Sequence, residues 1–157
     1  MNVLFLCTGN SCRSILAEAT FNALAPKGWH AVSAGSQPTG KVHPRSLGLL
    51  AREGISSAGC HSKSWHDLSV TPDIVITVCG SAAGETCPAY LGQAIRAHWG
   101  VEDPAKATGS DAEIDAAFMQ AYRKLRERIE AFLALPLDHL ARDKTLLAQA
   151  LIDIGRH

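Results

Sequence analysis

Val3-Leu4-Phe5-Leu6-Cys7-Thr8-Gly9-Asn10-Ser11-Cys12-Arg13-Ser14-Ile15-Leu16 decides how the rest of this sequence is read. Val3 to Leu6 is a short unbroken apolar run, the pattern of a strand buried on both faces. Thr8-Gly9-Asn10 stops the run, and Ser14 can cap a helix through Ile15, Leu16, Ala19 and Leu24 that Pro26 ends. Between strand and helix lies a loop of the form Cys-x5-Arg-Ser. A loop that enters a helix aims several backbone N–H groups at one point, and the helix dipole adds positive potential. Thr8, Gly9, Asn10, Ser11, Cys12 and Arg13 therefore suit a tetrahedral oxyanion, with the Arg13 fork offered to two of its oxygens. Gly9 and Asn10 tolerate the left-handed backbone such a cradle needs. The same field is expected to lower the pKa of Cys7 and make a thiolate available near neutral pH, with the Ser14 hydroxyl placed to donate to it. Cys12 reads mainly as a small packing residue of the loop.

Outward from this stretch, strands alternate with helices. His30-Ala31-Val32-Ser33 is a plausible second strand, and Pro44 to Gly54 reads as a helix with proline in its first turn and glycine at its stop. Asp73-Ile74-Val75-Ile76-Thr77-Val78 is the clearest strand, rich in β-branched residues, and Ile95 to Trp99 a shorter last one. Ser110-Asp111-Ala112-Glu113 is a capping box opening a long helix with Ile114, Phe118, Ala121, Leu125, Ile129 and Phe132 at helical spacing. Pro136 ends it, and an amphipathic segment follows with Leu140, Leu147, Leu151 and Ile154. The pattern predicts an α/β domain: a four-stranded parallel sheet flanked by helices in a three-layer sandwich. Ligands of such sheets sit beyond the carboxyl ends of the strands. Cys7 and Cys79 each follow a buried strand directly, so parallel strands place both thiols on one edge.

Composition narrows the classes. With 157 residues, 46% hydrophobic and 19% charged, the chain reads as one domain with a sizeable core. Fifteen basic residues balance fifteen acidic ones, which disfavours nucleic acid or an acidic membrane as partner. No apolar run approaches the ~20 residues that span a bilayer, and the N-terminus lacks a basic n-region. Five irregularly spaced cysteines do not form the even set of a secreted disulfide scaffold, so a reducing, cytoplasmic setting is expected. Cys79 and Cys87 lack the close pairing of structural zinc, and Cys60, His61 and His66 read as a surface stretch, so no metal is expected.

The loop from Val3 to Ser14, with Ala17-Glu18-Ala19, Ser33-Ala34-Gly35, Pro72 to Cys79 and His98-Trp99-Gly100-Val101-Glu102-Asp103-Pro104, resembles the low-molecular-weight protein tyrosine phosphatase superfamily. More narrowly, it resembles the arsenate reductases built on that fold. The resemblance covers about residues 2–134 and leaves an extra C-terminal helical segment at about 137–155 within the single domain 1–157. It implies that Asp103 is the general acid for a leaving oxygen. It also implies a relay: Cys7 attacks arsenate, Cys79 attacks the Cys7 sulfur and releases arsenite, and Cys87 then attacks Cys79. No cofactor is expected to be bound. An external thiol, thioredoxin or else glutaredoxin with glutathione, would restore the dithiol, and phosphate or sulfate would occupy the loop as an analogue.

Two positions separate this chain from phosphatases that accept phosphotyrosine. Ala105 follows Asp103-Pro104 where those enzymes carry an aromatic residue, and Thr8 stands where they often carry an apolar one. Asn10, Glu18 and Ser33 match side chains that hold potassium in some reductases, but Ser62-Lys63-Ser64 occupies the place of the fourth, and a lysine would supply the charge internally. Eight residues of helix rise about 12 Å, too far for a Cys79–Cys87 disulfide, so the glycine-containing segment between them is expected to change shape on oxidation. The alternatives are a phosphatase working through a Cys7 phosphoenzyme with Asp103 as acid, and a thiol sensor or oxyanion-binding regulator without turnover.

Overall fold

In the computed structural model, residues 1–79 and 93–156 are described. Four strands, β1 (Asn2–Leu6), β2 (His30–Ala34), β3 (Ile74–Thr77) and β4 (Ile95–His98), form one sheet in the order β2-β1-β3-β4. Every pairing is parallel, as the alternation of strands and helices predicts. Val3, Leu4, Phe5 and Leu6 are fully buried, which is why β1 reads as a continuous apolar run. From β1 the chain goes first to one side of the sheet and later to the other. The carboxyl end of β1 is thus the point where strand order reverses, the place where such sheets bind ligands. Leu6 stands opposite Thr77, so Cys7 and Cys79 leave neighbouring strands on the same edge.

Helices α1 (Arg13–Leu24), α2 (Pro44–Arg52) and α3 (Asp111–Leu133) follow the predicted positions. α3 opens on the complete capping box, with Ser110 accepting from the Glu113 amide. Phe118, Ala121, Leu125, Ile129 and Phe132 are its buried stripe, and it packs along α1. Trp99 joins the layers: its ring is 6.2 Å from Phe5 and 6.4 Å from Phe132.

One sequence expectation is corrected. Ser14 does not cap α1. The helix begins two residues earlier with Cys12 at the N-cap position and no side-chain cap, so its first amides stay available. The C-terminal segment is two helices, α4 (Leu137–Leu140) and α5 (Lys144–Gly155), because Asp143 accepts from the Thr145 and Leu146 amides and starts a new helix. α5 packs on β4: Leu147 and Leu151 are fully buried, and Trp99 Nε1 donates to Leu151 O at 2.9 Å. A Cβ on Gly155 would lie 2.3 Å from His98 O, so only glycine lets the helix end approach that strand. No helix of the described residues is long and apolar enough to cross a membrane.

Candidate active site

The loop after β1 has its carbonyls consumed from outside. Thr8 O accepts from the Gln37 amide and Gly9 O from the Thr39 amide, each at 3.0 Å. Ser11 O accepts from the His43 amide at 3.0 Å and from Ser46 Oγ at 3.2 Å. The amides of Asn10, Ser11, Cys12, Arg13 and Ser14 have no acceptor among the described residues. A ring of unmade donors at an uncapped helix start is an anion cradle.

Asn10 makes the turn, at φ 47, with its side chain fully buried. Its Nδ2 donates to Ser14 Oγ at 2.8 Å and Ser33 Oγ at 2.9 Å, and its Oδ1 accepts from the Lys63 amide at 2.9 Å. Ser33 Oγ donates to the buried Glu18 carboxylate, and Cys60 lies against the same carboxylate. Burial and then Glu18 push the Cys60 thiol up to about 12, so Cys60 is not part of a mere surface stretch. Lys63 Nζ donates to His61 O at 3.2 Å, and among the described residues it forms no ion pair with Glu18. Among the described residues no group of three or more His, Cys, Asp or Glu side chains is arranged to hold a metal. Ser14 accepts from Asn10, which directs its own proton elsewhere.

Cys7 is buried and Cys79 acts on its thiol, and the two leave neighbouring parallel strands on one edge of the sheet. The Thr8 amide donates to Cys79 Sγ at 3.4 Å, and Thr8 Oγ1 is 3.6 Å from it. The expected lowering of Cys7 is corrected. Its hydrogen bond with Cys79 and its burial raise it above the ordinary cysteine range, against the opposing pull of Arg13 and the Gly9 amide. Cys12 is raised by burial as well, in keeping with a packing role.

Arg13 does not hold its fork open. Nη1 donates to Val101 O at 2.9 Å and Nη2 lies 3.5 Å from Asp103 Oδ2. Asp103 Oδ1 accepts from the Ala105 amide at 3.0 Å, capping the short 3-10 turn Pro104–Lys106. Asp-Pro is thus a turn whose carboxylate reaches the arginine of the anion loop. Thr8, Gly9, Arg13, Cys79 and Asp103 line one cleft of about 1190 Å³. Cys87, and the shape change expected between it and Cys79, lie outside the described residues.

Residues 2–146 match the family model for low molecular weight phosphotyrosine protein phosphatases. The chain belongs to this family. A Halalkalibacterium halodurans protein named arsenate reductase is 38% identical over 131 residues, covering 83% of this chain and 93% of that one. An arsenate reductase in the phosphate binding state superposes with a TM-score of 0.70 at 28% identity, covering 85% of this chain and 96% of that one. The thioredoxin-dependent arsenate reductase of Corynebacterium glutamicum superposes at 0.56 with 27% identity, over 82% of this chain and 61% of the other. The solved arsenate reductases thus share this chain's fold.

One residue at the site escaped the sequence reading. Arg128 on α3 is 7% exposed and donates from Nη1 to Gly100 O at 3.0 Å, behind the segment that carries Asp103. The signal was a charge at the third position after Leu125, on the apolar stripe where a hydrophobic residue belongs.

Proposed function

We propose that this chain reduces arsenate to arsenite with a thiol relay. The observation that carries the reading is the second thiol. Cys79 lies at the anion loop, its Sγ accepting from the Thr8 amide at 3.4 Å, beside the Cys7 thiol on which it acts. Hydrolysis of a phosphoester needs one thiol and a water, whereas reduction of As(V) to As(III) needs two electrons, which two thiols supply. The homologue named arsenate reductase and the solved arsenate reductases support the same choice over the phosphatase.

In this mechanism the amides of residues 10–14 and Arg13 bind the arsenate oxygens. Cys7, held as the thiol by burial and Cys79, passes its proton to the incoming arsenate dianion; its thiolate attacks arsenic, an S–As bond forms, and the departing oxygen leaves as water with a second proton, from Asp103. The Cys79 thiolate attacks Cys7 Sγ. The S–As electron pair passes to arsenic, arsenite leaves, and a Cys7–Cys79 disulfide remains. Cys87 attacks Cys79, freeing Cys7, and an external dithiol reduces the Cys79–Cys87 disulfide. Ser14 donates to the Cys7 thiolate. The C. glutamicum relative favours thioredoxin as the dithiol, and a cytoplasmic setting suits a thiol that must be re-reduced.

The deciding experiment is arsenate turnover with thioredoxin, thioredoxin reductase and NADPH, against glutaredoxin with glutathione. It is run on wild type and on Cys7→Ser, Cys79→Ser and Cys87→Ser. The relay predicts multiple turnover that each variant loses. Aryl phosphate hydrolysis that outpaces arsenate reduction and survives loss of Cys79 and Cys87 would replace this reading with the phosphatase. Arsenate binding without turnover would replace it with a sensor.

A further inference from the structure

The inward stripe of α3 is apolar at Leu125, Ile129 and Phe132, yet Arg128 shares it. Burial disfavours a guanidinium there and lowers its pKa. Among the described residues no carboxylate lies within ion-pair distance of it, and its Nε has no acceptor. A well-packed hydrophobic side chain would be tolerated at least as well at such a position. What Arg128 does reach is Gly100 O, at 3.0 Å. The next carbonyl, Val101 O, is held by Arg13 at 2.9 Å, and the same Arg13 faces Asp103. Two guanidiniums therefore grip consecutive carbonyls of the segment that ends at Asp103, one from α3 and one from the anion loop. The Val101 amide donates to Val78 O at 3.1 Å, immediately before Cys79.

We infer that Arg128 is a positioning residue for Asp103, fixing the segment 100–103 from behind so that the carboxyl meets Arg13 over the anion loop. The inference rests on reading Asp103 as the acid. Charge-assisted hydrogen bonds to a carbonyl are stronger than neutral ones, so an arginine pins this segment better than any uncharged side chain of its size. The Val101 amide ties the segment to the strand end before Cys79. Arg128 supplies an anchor from a helix that carries none of the thiols.

The test combines kinetics with amide hydrogen exchange in Arg128→Met, Arg128→Lys, Asp103→Asn and the double variant Arg128→Met/Asp103→Asn. Substrates are arsenate with the thiol system and an aryl phosphate. Arg128→Met is expected to melt no lower than wild type, yet to lose on the order of 10–100-fold in kcat with KM little changed. Alkylation of Cys7 should be unaffected. Arg128→Lys should recover part of the loss, and Arg128→Met should cost nothing further once Asp103 is Asn. The amides of Val101 and Ala105 should exchange roughly tenfold faster, while those of Leu125 and Phe132 stay protected. Fully additive losses, an unchanged kcat, or exchange that rises uniformly or not at all would each overturn the inference. Wild type active on the aryl phosphate but inert to arsenate overturns the reductase reading instead, and leaves the Arg128 cycle readable on the ester. If wild type is inert to both, the exchange pattern alone decides.

Discussion

Opposed influences act on the Cys7 thiol. Arg13 and the Gly9 amide favour the thiolate, while burial and the hydrogen bond with Cys79 favour the thiol, and the second pair prevails. Two thiols that act on each other lose their protons in two steps that belong to the pair. Cys79→Ala removes both the hydrogen bond and the charge by which Cys79 raises Cys7 and leaves Arg13 and the Gly9 amide, which lower it, so half-maximal reactivity should move to lower pH. Iodoacetamide alkylation rates followed against pH check this, and a profile that stays in place would show that burial alone sets the value. Cys60 differs, because its thiol is held near 12 by burial and Glu18. It should remain unalkylated at neutral pH in the folded protein and react once urea opens the fold. None of this was legible in the residues themselves. The sequence displays a thiol next to an arginine loop, but the sign of the shift depends on a neighbour 72 positions away.

At the scale of elements, the anion loop is shaped by what presses on it from outside. Gly35, just after β2, lies so close that a Cβ there would stand 2.3 Å from Thr8 O and 2.8 Å from Cys7 O. The loop backbone cannot retreat, since Gln37, Thr39 and His43 amides hold its carbonyls. Gly35→Ala should therefore weaken phosphate or arsenate binding by more than its loss of fold stability accounts for. Isothermal titration with phosphate beside a thermal melt measures both, and equal affinity in the variant would show that the loop can give way. The helix that follows behaves by the same logic. A capped α1 would be a more stable isolated helix, but a cap would use the amides an anion needs. Ser14 reads as a cap in sequence because serine before an apolar periodic run usually is one. Here Asn10 takes its oxygen instead.

For the whole molecule, α5 closes the side of the sheet at β4. Leu147 and Leu151 fill that contact, and the Leu151 carbonyl takes the Trp99 indole proton. Leu151→Ala should cost about 2–5 kcal/mol, the usual range for truncating a buried leucine, read from urea denaturation. Arsenate turnover at low temperature should be unchanged, since α5 supplies no lining of the cleft. A loss of turnover in a folded variant would mean that the packing of β4 reaches the acid segment. The elements themselves were legible along the chain. The apolar run of β1, the β-branched run of β3, the Ser110 capping box and the Pro44 start are local signals, because strand burial, capping and proline geometry act over a few residues. The cradle was legible too, since Cys7 to Ser14 is contiguous and its amides come with the loop. Tertiary structure alone decided the rest: the thiol pair, the Arg13–Asp103 contact, Cys60 against Glu18, and Arg128 behind Gly100. Each joins residues from different elements, and burial, which sets the cost of every charge among them, exists only once the chain has folded.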